Sequence, residues 1–125
     1  MSDNEPLRIL IADDHGIIRE SLSALLRQQK LQVVAAASNG VEAVDLYRRH
    51  QPDITLMDMR MPQMDGLSAT RAIVAEFPQA RIIVLTNFDG ETENSLRAGA
   101  KALVQKDAPM NELLSTIRAV YSTVA

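Results

Sequence analysis

The sequence contains no cysteine, no tryptophan and only two histidines, His15 and His50. Without cysteine there is no disulfide framework and no thiolate metal site. Tyr47, Phe77, Phe88 and Tyr121 are the only aromatic rings, and no G-x-G-x-x-G loop is present, so a flavin or dinucleotide carrier is a poor reading. No apolar run approaches the ~20 residues of a membrane helix. The start, MSDNEPL, is polar and acidic, unlike a signal peptide. A cytoplasmic, soluble protein with no membrane contact is therefore expected. The net charge is -3 with a pI near 5.3, and the basic residues are scattered. That argues against the chain gripping a nucleic-acid backbone by itself, so any DNA contact is expected through another domain. Repeats, low-complexity tracts and linkers are also missing, and the chain stops at YSTVA just after its last helical pattern.

What is present fits one domain: 125 residues, 46% hydrophobic and 23% charged. Five short apolar runs recur: RILIA (8–12), QVVAAAS (32–38), ITLMD (54–58), RIIVLT (81–86) and ALVQ (102–105). They are rich in Val, Ile and Leu and largely non-alternating, as parallel strands covered on both faces are. Helical periods lie between them. HGIIRESLSALLRQQ puts Ile18, Leu22, Leu25 and Leu26 on one stripe; PMNELLSTIRAVY does the same with Leu113, Ile117 and Val120, with Leu114 and Tyr121 beside them. Further helices are expected over 40–50, 66–77 and, with the weakest pattern, 91–98. Asp14, Asn39 and Asp65 stand at N-cap positions and Gly99 at a left-handed C-terminal position. Strand and helix alternate five times, which predicts an α/β fold: a doubly wound five-stranded parallel sheet. Such sheets bind ligands beyond the carboxyl ends of their strands.

Asp58 ends an otherwise apolar run, DITLMDMRMPQMDG, and a buried carboxylate is costly unless paired, hydrogen-bonded or metal-bound. Asp13 and Asp14 follow the first strand, Thr86 ends the fourth and Lys106 follows the fifth, so all five residues should meet on one rim. Three carboxylates there repel unless a cation sits among them, and an oxygen donor set suits Mg²⁺. Asp58 is then a candidate nucleophile toward a phosphoryl donor, with Mg²⁺ and Lys106 neutralising charge. Singly, each residue has a plainer reading. An Asp-Asp pair is commonly a cap and a solvated neighbour, Thr86 a strand end bonded to its own backbone, and Lys106 a surface lysine. Asp65 and Gly66 read as a cap and a tight turn, with Pro62 stiffening the loop. His15 opens the first helix, with a phosphoryl-transfer role left open, and His50 reads as a solvated helix end.

Two other chemistries compete. Met57, Met59, Met61 and Met64 hold an M-x-M-x-M spacing that a Cu(I) thioether site would use, but Met57 and Met59 lie in or beside a core strand, where packing is the better account. A phosphatase working through an aspartyl-phosphate would want the same sheet and nucleophile. Haloacid-dehalogenase-like enzymes place a second acid two residues after that nucleophile, whereas this chain has Arg60, which cannot act as an acid at ordinary pH.

IADDH (11–15), LMDMRMPQMDG (56–66), LT (85–86) and KD (106–107), in this order over nearly the whole chain, resemble the receiver domain of two-component response regulators. DDH and GAKALVQKD are most similar to LuxR-type (NarL/FixJ) transcriptional regulators. The resemblance implies a (βα)5 flavodoxin-like receiver fold over 1–125, with Asp58 phosphorylated by a sensor histidine kinase. It further implies that Asp13, Asp14, Asp58 and the backbone carbonyl of Arg60 hold Mg²⁺ while Thr86 and Lys106 bind phosphoryl oxygens. The domain would phosphorylate and dephosphorylate itself without being a turnover enzyme. It would form a homodimer on phosphorylation and act on DNA through a C-terminal helix-turn-helix domain that is not in this sequence. A stand-alone receiver docking on a protein, or a degenerate one independent of phosphorylation, is the alternative.

Three departures from the family pattern bear on mechanism. Leu103 stands where receivers often carry an aromatic, which argues against a simple Thr-to-aromatic switch and for coupling through backbone and loop movement. Asn87 stands where a small residue is usual. Thr86 and Lys106 are closer in sequence than is usual by about two residues. Inside a helix that loss would turn the downstream residues by about 200°, so a loop or helix end absorbs it more easily. With only Leu96 and Ala98 as apolar anchors, the fourth helix is expected to be short and the least stable of the five.

Overall fold

The computed structural model describes residues 6–87 and 92–122. Ten elements alternate along the chain: β1 (Arg8–Ala12), α1 (Gly16–Gln28), β2 (Gln32–Ala37), α2 (Gly40–His50), β3 (Ile54–Asp58), α3 (Gly66–Glu76), β4 (Ile82–Thr86), α4 (Thr92–Ala98), β5 (Ala102–Gln105) and α5 (Met110–Ser122). Every strand pairing is parallel, in the order β2-β1-β3-β4-β5. The doubly wound sheet expected from the alternation is present, with bounds within a residue of the sequence reading. Glu91, the expected first residue of the fourth helix, lies outside the described residues.

Side chains leave the sheet alternately toward two cores. Leu10, Met57, Ile82 and Val84 pack with Ala43, Tyr47, Ala69 and Ile73 of α2 and α3. Ile9, Ile11, Leu56 and Ile83 pack with Leu22, Leu26, Leu113 and Ile117 of α1 and α5. Strands β3 and β4 are buried throughout, as is β1 beyond Arg8, which explains why their sequences do not alternate. The edge strands β2 and β5 are only partly covered, so the expectation of two covered faces fails there. Met57 and Met59 are buried, and Met61 and Met64 pack partly against the same core. The methionines are packing residues rather than an exposed thioether site.

Several local expectations are corrected. In α1, Leu22 and Leu26 are buried, but Ile18 and Leu25, to one side of them on the helical wheel, are 39% and 41% exposed. Asp14 is not the cap of α1; His15 is, without a side-chain cap bond, while the Asp13 carboxylate accepts the His15 N–H at 2.8 Å. Asn39 and Asp65 do cap, accepting the N–H of Glu42 and Ser68. His50 ends α2 as a half-buried side chain rather than a solvated one.

At α4, the shortest helix, Leu96 is not an anchor: it is 49% exposed, and Ser95 and Ala98 are the buried residues. The helix closes through Gly99 at φ 110°, with Gly99 N–H donating to Leu96 O and Ala100 N–H to Ser95 O. Leu96 therefore adds little to α4, and the buried Ser95 hydroxyl has no hydrogen-bond partner among the described residues. Ser95→Ala is expected to stabilise the protein by about 0.5–1.5 kcal/mol, by removing an unsatisfied hydroxyl and raising helix propensity. A higher urea midpoint at unchanged slope checks this. Amide exchange in α4 is expected to be faster than in α1; equal protection in the two helices would contradict the weak anchoring.

Candidate functional site

The ladder of the sheet carries the site residues to one rim. It continues one residue past several strands: Asp13 N–H donates to Ala37 O, Met59 N–H to Leu85 O and Lys106 N–H to Thr86 O. Asp13, Asp58, Thr86 and Lys106 consequently leave adjacent strand ends at one level, as the sequence reading expected. Asp13, Asp58 and Thr86 are almost fully buried, while the Lys106 side chain keeps 15% of its surface and Asp14 is more open.

Lys106 Nζ lies between two carboxylates, 3.0 Å from Asp13 Oδ2 and 3.1 Å from Asp58 Oδ1. Burial pushes the Asp58 carboxyl above its ordinary range; the Lys106 hydrogen bond draws it down, and the nearby Asp13 charge raises it again. Burial disfavours the Lys106 ammonium, yet hydrogen bonds to Asp13 and Asp58 outweigh it, and its pKa is raised. The Arg60 N–H approaches Asp58 Oδ1 at 3.4 Å, a weak contact. Neither of these contacts uses Asp58 Oδ2. The Thr86 hydroxyl donates to Met59 Sδ at 3.8 Å.

The loop after Asp58 is fixed by Gly66 at its end and by Gly40 of α2 packed against it, in a way the sequence reading missed. Gly66 does not make a left-handed turn; Gly99 is the only described glycine with positive φ. Instead, a Cβ on Gly66 would overlap the Asp58 carbonyl oxygen, and one on Gly40 would overlap the Met64 carbonyl oxygen. Gly66 N–H also donates to Met59 O at 2.8 Å, closing the loop on itself. Both glycines are required by close backbone approach.

The donor set at the rim fits a divalent cation. Asp13, Asp14, His15 and Asp58 each offer a ligand atom, and these atoms lie within 4.8 Å of one another. Carboxylates on a partly solvated rim, with room for water, are the ligands that Mg²⁺ takes. One neighbour was missed in the sequence: His15 Nδ1 stands 3.1 Å from both Asp13 Oδ1 and Asp14 Oδ1. The run DDH placed it near them, but its approach depends on the loop conformation, which spacing alone does not give.

Five parallel strands alternating with five helices, with acids and a lysine at one end of the sheet, define a regulatory α/β module of the receiver type. The chain matches the response regulator receiver domain family over residues 9–118, and it belongs to that family. It is 43% identical over 119 residues to the oxygen regulatory protein NreC of Staphylococcus carnosus, covering 92% of this chain and 55% of that protein. The chain thus spans about half the length of the curated relatives it matches. Among solved structures it resembles a LuxR-family two-component response regulator from Aurantimonas sp. SI85-9A1, with TM-score 0.89 and 36% identity, covering 94% of this chain and 86% of that one. It also resembles the receiver domain of the sensor histidine kinase PA1611 from Pseudomonas aeruginosa PAO1, solved with magnesium coordinated in the active-site cleft. There the TM-score is 0.85 and the identity 31%, over 94% of this chain and 99% of that one. The protein is a response regulator receiver domain with LuxR-type relatives, as its motifs implied. Receiver domains work with histidine kinases and are not usually classed as enzymes in their own right. Among the described residues, no helix is long and apolar enough to cross a membrane.

Proposed function

We propose that Asp58 is the phosphoacceptor, taking a phosphoryl group from a phosphohistidine of a sensor histidine kinase. The observation that carries this is the buried Asp58 carboxylate beside Lys106 Nζ at 3.1 Å, with Asp13 on the other side of the same ammonium. An Asp58 carboxylate oxygen attacks phosphorus, an acyl phosphate forms, and the P–N bond breaks to return the imidazole to the kinase. Lys106 opposes the burial that raises the Asp58 pKa and would balance charge on the transferring group. Thr86, on the neighbouring strand, would hydrogen-bond a phosphoryl oxygen. Asp13, Asp14, Asp58 and the Arg60 carbonyl would hold Mg²⁺, which supplies charge neutralisation between carboxylates and phosphoryl oxygens. Water attack on the same phosphorus reverses the modification, so the domain acts on itself without a turnover substrate.

A cleft of about 250 Å³ between α1 and α5, lined by Ile17, Leu22, Val104 and Leu113, reaches Asp13 and Lys106 and would seat a partner beside the phosphoacceptor. Residues 1–125 are read as one receiver domain of a cytoplasmic regulator. Its phosphorylation would favour a homodimer and switch DNA binding by a helix-turn-helix domain elsewhere in the full protein; the LuxR-type relatives support this output over a stand-alone receiver. Incubation with acetyl phosphate and Mg²⁺ is expected to add one phosphoryl group by intact mass. Addition to Asp58→Asn, or undiminished addition after chelation, would contradict the assignment. If nothing is added to the unaltered chain, beryllium fluoride binding separates fast hydrolysis from a degenerate site.

Asn87, exposed immediately after Thr86, is expected to slow access of phosphodonor and hydrolytic water. Asn87→Ala should therefore speed both phosphorylation and decay, and unchanged rates would remove that role.

A further inference from the structure

His15 is the member of the rim cluster to which phosphoryl transfer gives no task. Its main chain is fixed on both sides: its N–H donates to Asp13 Oδ1 at 2.8 Å, and its carbonyl accepts Arg19 N–H at 3.0 Å. That anchorage brings the ring over the acids, with Nδ1 3.1 Å from Asp13 Oδ1 and 3.1 Å from Asp14 Oδ1. In a six-coordinate shell with metal–ligand distances of about 2.0–2.2 Å, adjacent donors stand about 2.8–3.1 Å apart. Nδ1 is thus within hydrogen-bonding distance of two carboxylates, a spacing that adjacent donors in a shared shell would also have. The side chain is 61% exposed, so the ring stands at the open side of the rim.

We infer that His15 is a nitrogen ligand of the cation site and shifts its preference from Mg²⁺ toward the borderline ions Mn²⁺, Co²⁺ and Zn²⁺. The inference rests on the divalent-cation reading of Asp13, Asp14 and Asp58 proposed above. Mg²⁺ favours oxygen donors and gains little from an imidazole, whereas affinity for the borderline ions grows when a nitrogen joins the shell. His15 therefore acts on which ion is bound more than on whether one is bound.

Pulsed electron paramagnetic resonance of the Mn²⁺ complex of the whole 125-residue chain tests this without any substitution. Modulation from a directly coordinated ¹⁴N is expected, and its loss in His15→Ala assigns it to His15 rather than His50. By calorimetry, Co²⁺ affinity should fall about tenfold or more in His15→Ala while Mg²⁺ affinity changes less than about twofold. A Mn²⁺ complex without nitrogen modulation overturns the inference, as do Co²⁺ and Mg²⁺ affinities that fall in parallel. If Mg²⁺ and Mn²⁺ bind but no nitrogen signal appears, the carboxylate site stands and only the His15 assignment falls. If no divalent ion binds the unaltered chain, both fail together.

Discussion

Lys106→Ala is expected to slow phosphoryl transfer to Asp58 by about 10²–10³-fold, the cost of deleting one preorganised charge-stabilising donor. The same change should destabilise the fold by about 3 kcal/mol near neutral pH, because it leaves Asp13 and Asp58 as buried neighbours without the cation between them. Acid should relieve the defect, since the Asp58 carboxylate can then take a proton. Asp58 supplies the sign. Its folded pKa is raised, so its ionisation opposes folding. That penalty is absent below the unfolded carboxyl pKa and develops as pH rises through the folded one. Lys106 runs the other way in usefulness: its raised pKa contributes stability that is fully present below the ordinary lysine value and is lost as pH rises through the folded value. Chemical unfolding of the unaltered chain, Lys106→Ala and Asp58→Asn over about pH 4–8 checks the pattern. Asp58→Asn should gain on the unaltered protein as pH rises across the carboxyl range, while Lys106→Ala should lose. A Lys106→Ala deficit that does not change with pH would mean that lost packing, not charge, is responsible.

Gly66→Ala is expected to cost more than about 3 kcal/mol, with folded variant accumulating only at low temperature or with a stabilising co-solvent. The added methyl would overlap the Asp58 carbonyl oxygen, at the end of a strand held by β4 at this residue and by β1 up to Met57. Either α3 moves outward or the strand end distorts. In both cases the Asp58 side chain and the Arg60 carbonyl shift relative to Asp13. Mg²⁺ affinity should therefore fall in whatever fraction folds, and melting with and without Mg²⁺ separates the two effects. Folding at normal stability would show that α3 can shift without cost.

The sequence carried the architecture because hydrophobic burial dictates it. Three nearly continuous apolar strands flanked by two less deeply buried edge strands, with amphipathic helices between, leave few other ways to cover the apolar surface. The rim residues were legible for the same reason: parallel strands put their carboxyl ends on one side, so Asp13, Asp58, Thr86 and Lys106 had to meet. What was hidden depends on neighbours in space. The spacing of Ile18 and Leu25 is compatible with burial, but the area that α1 covers is narrower than its apolar stripe. Leu96 looked like an anchor because apolar residues usually are, yet the phase of a seven-residue helix is set by where its ends attach. The close approaches of Gly40 and Gly66 have no local signature, since a glycine at a turn and a glycine under a carbonyl look alike in sequence. The position of the His15 ring came from the loop's hydrogen bonds, not from the spacing of DDH.

The ion pair between Asp13 and Lys106 joins residues 93 positions apart. Asp13 emerges early in synthesis, but its cation arrives only with the turn after the last strand. A chain that stops short of Lys106 lacks the cation that stands between Asp13 and Asp58. The rim therefore depends on the first and fifth strands being held in the same sheet, and a cut that let either strand leave would separate the acid from its cation.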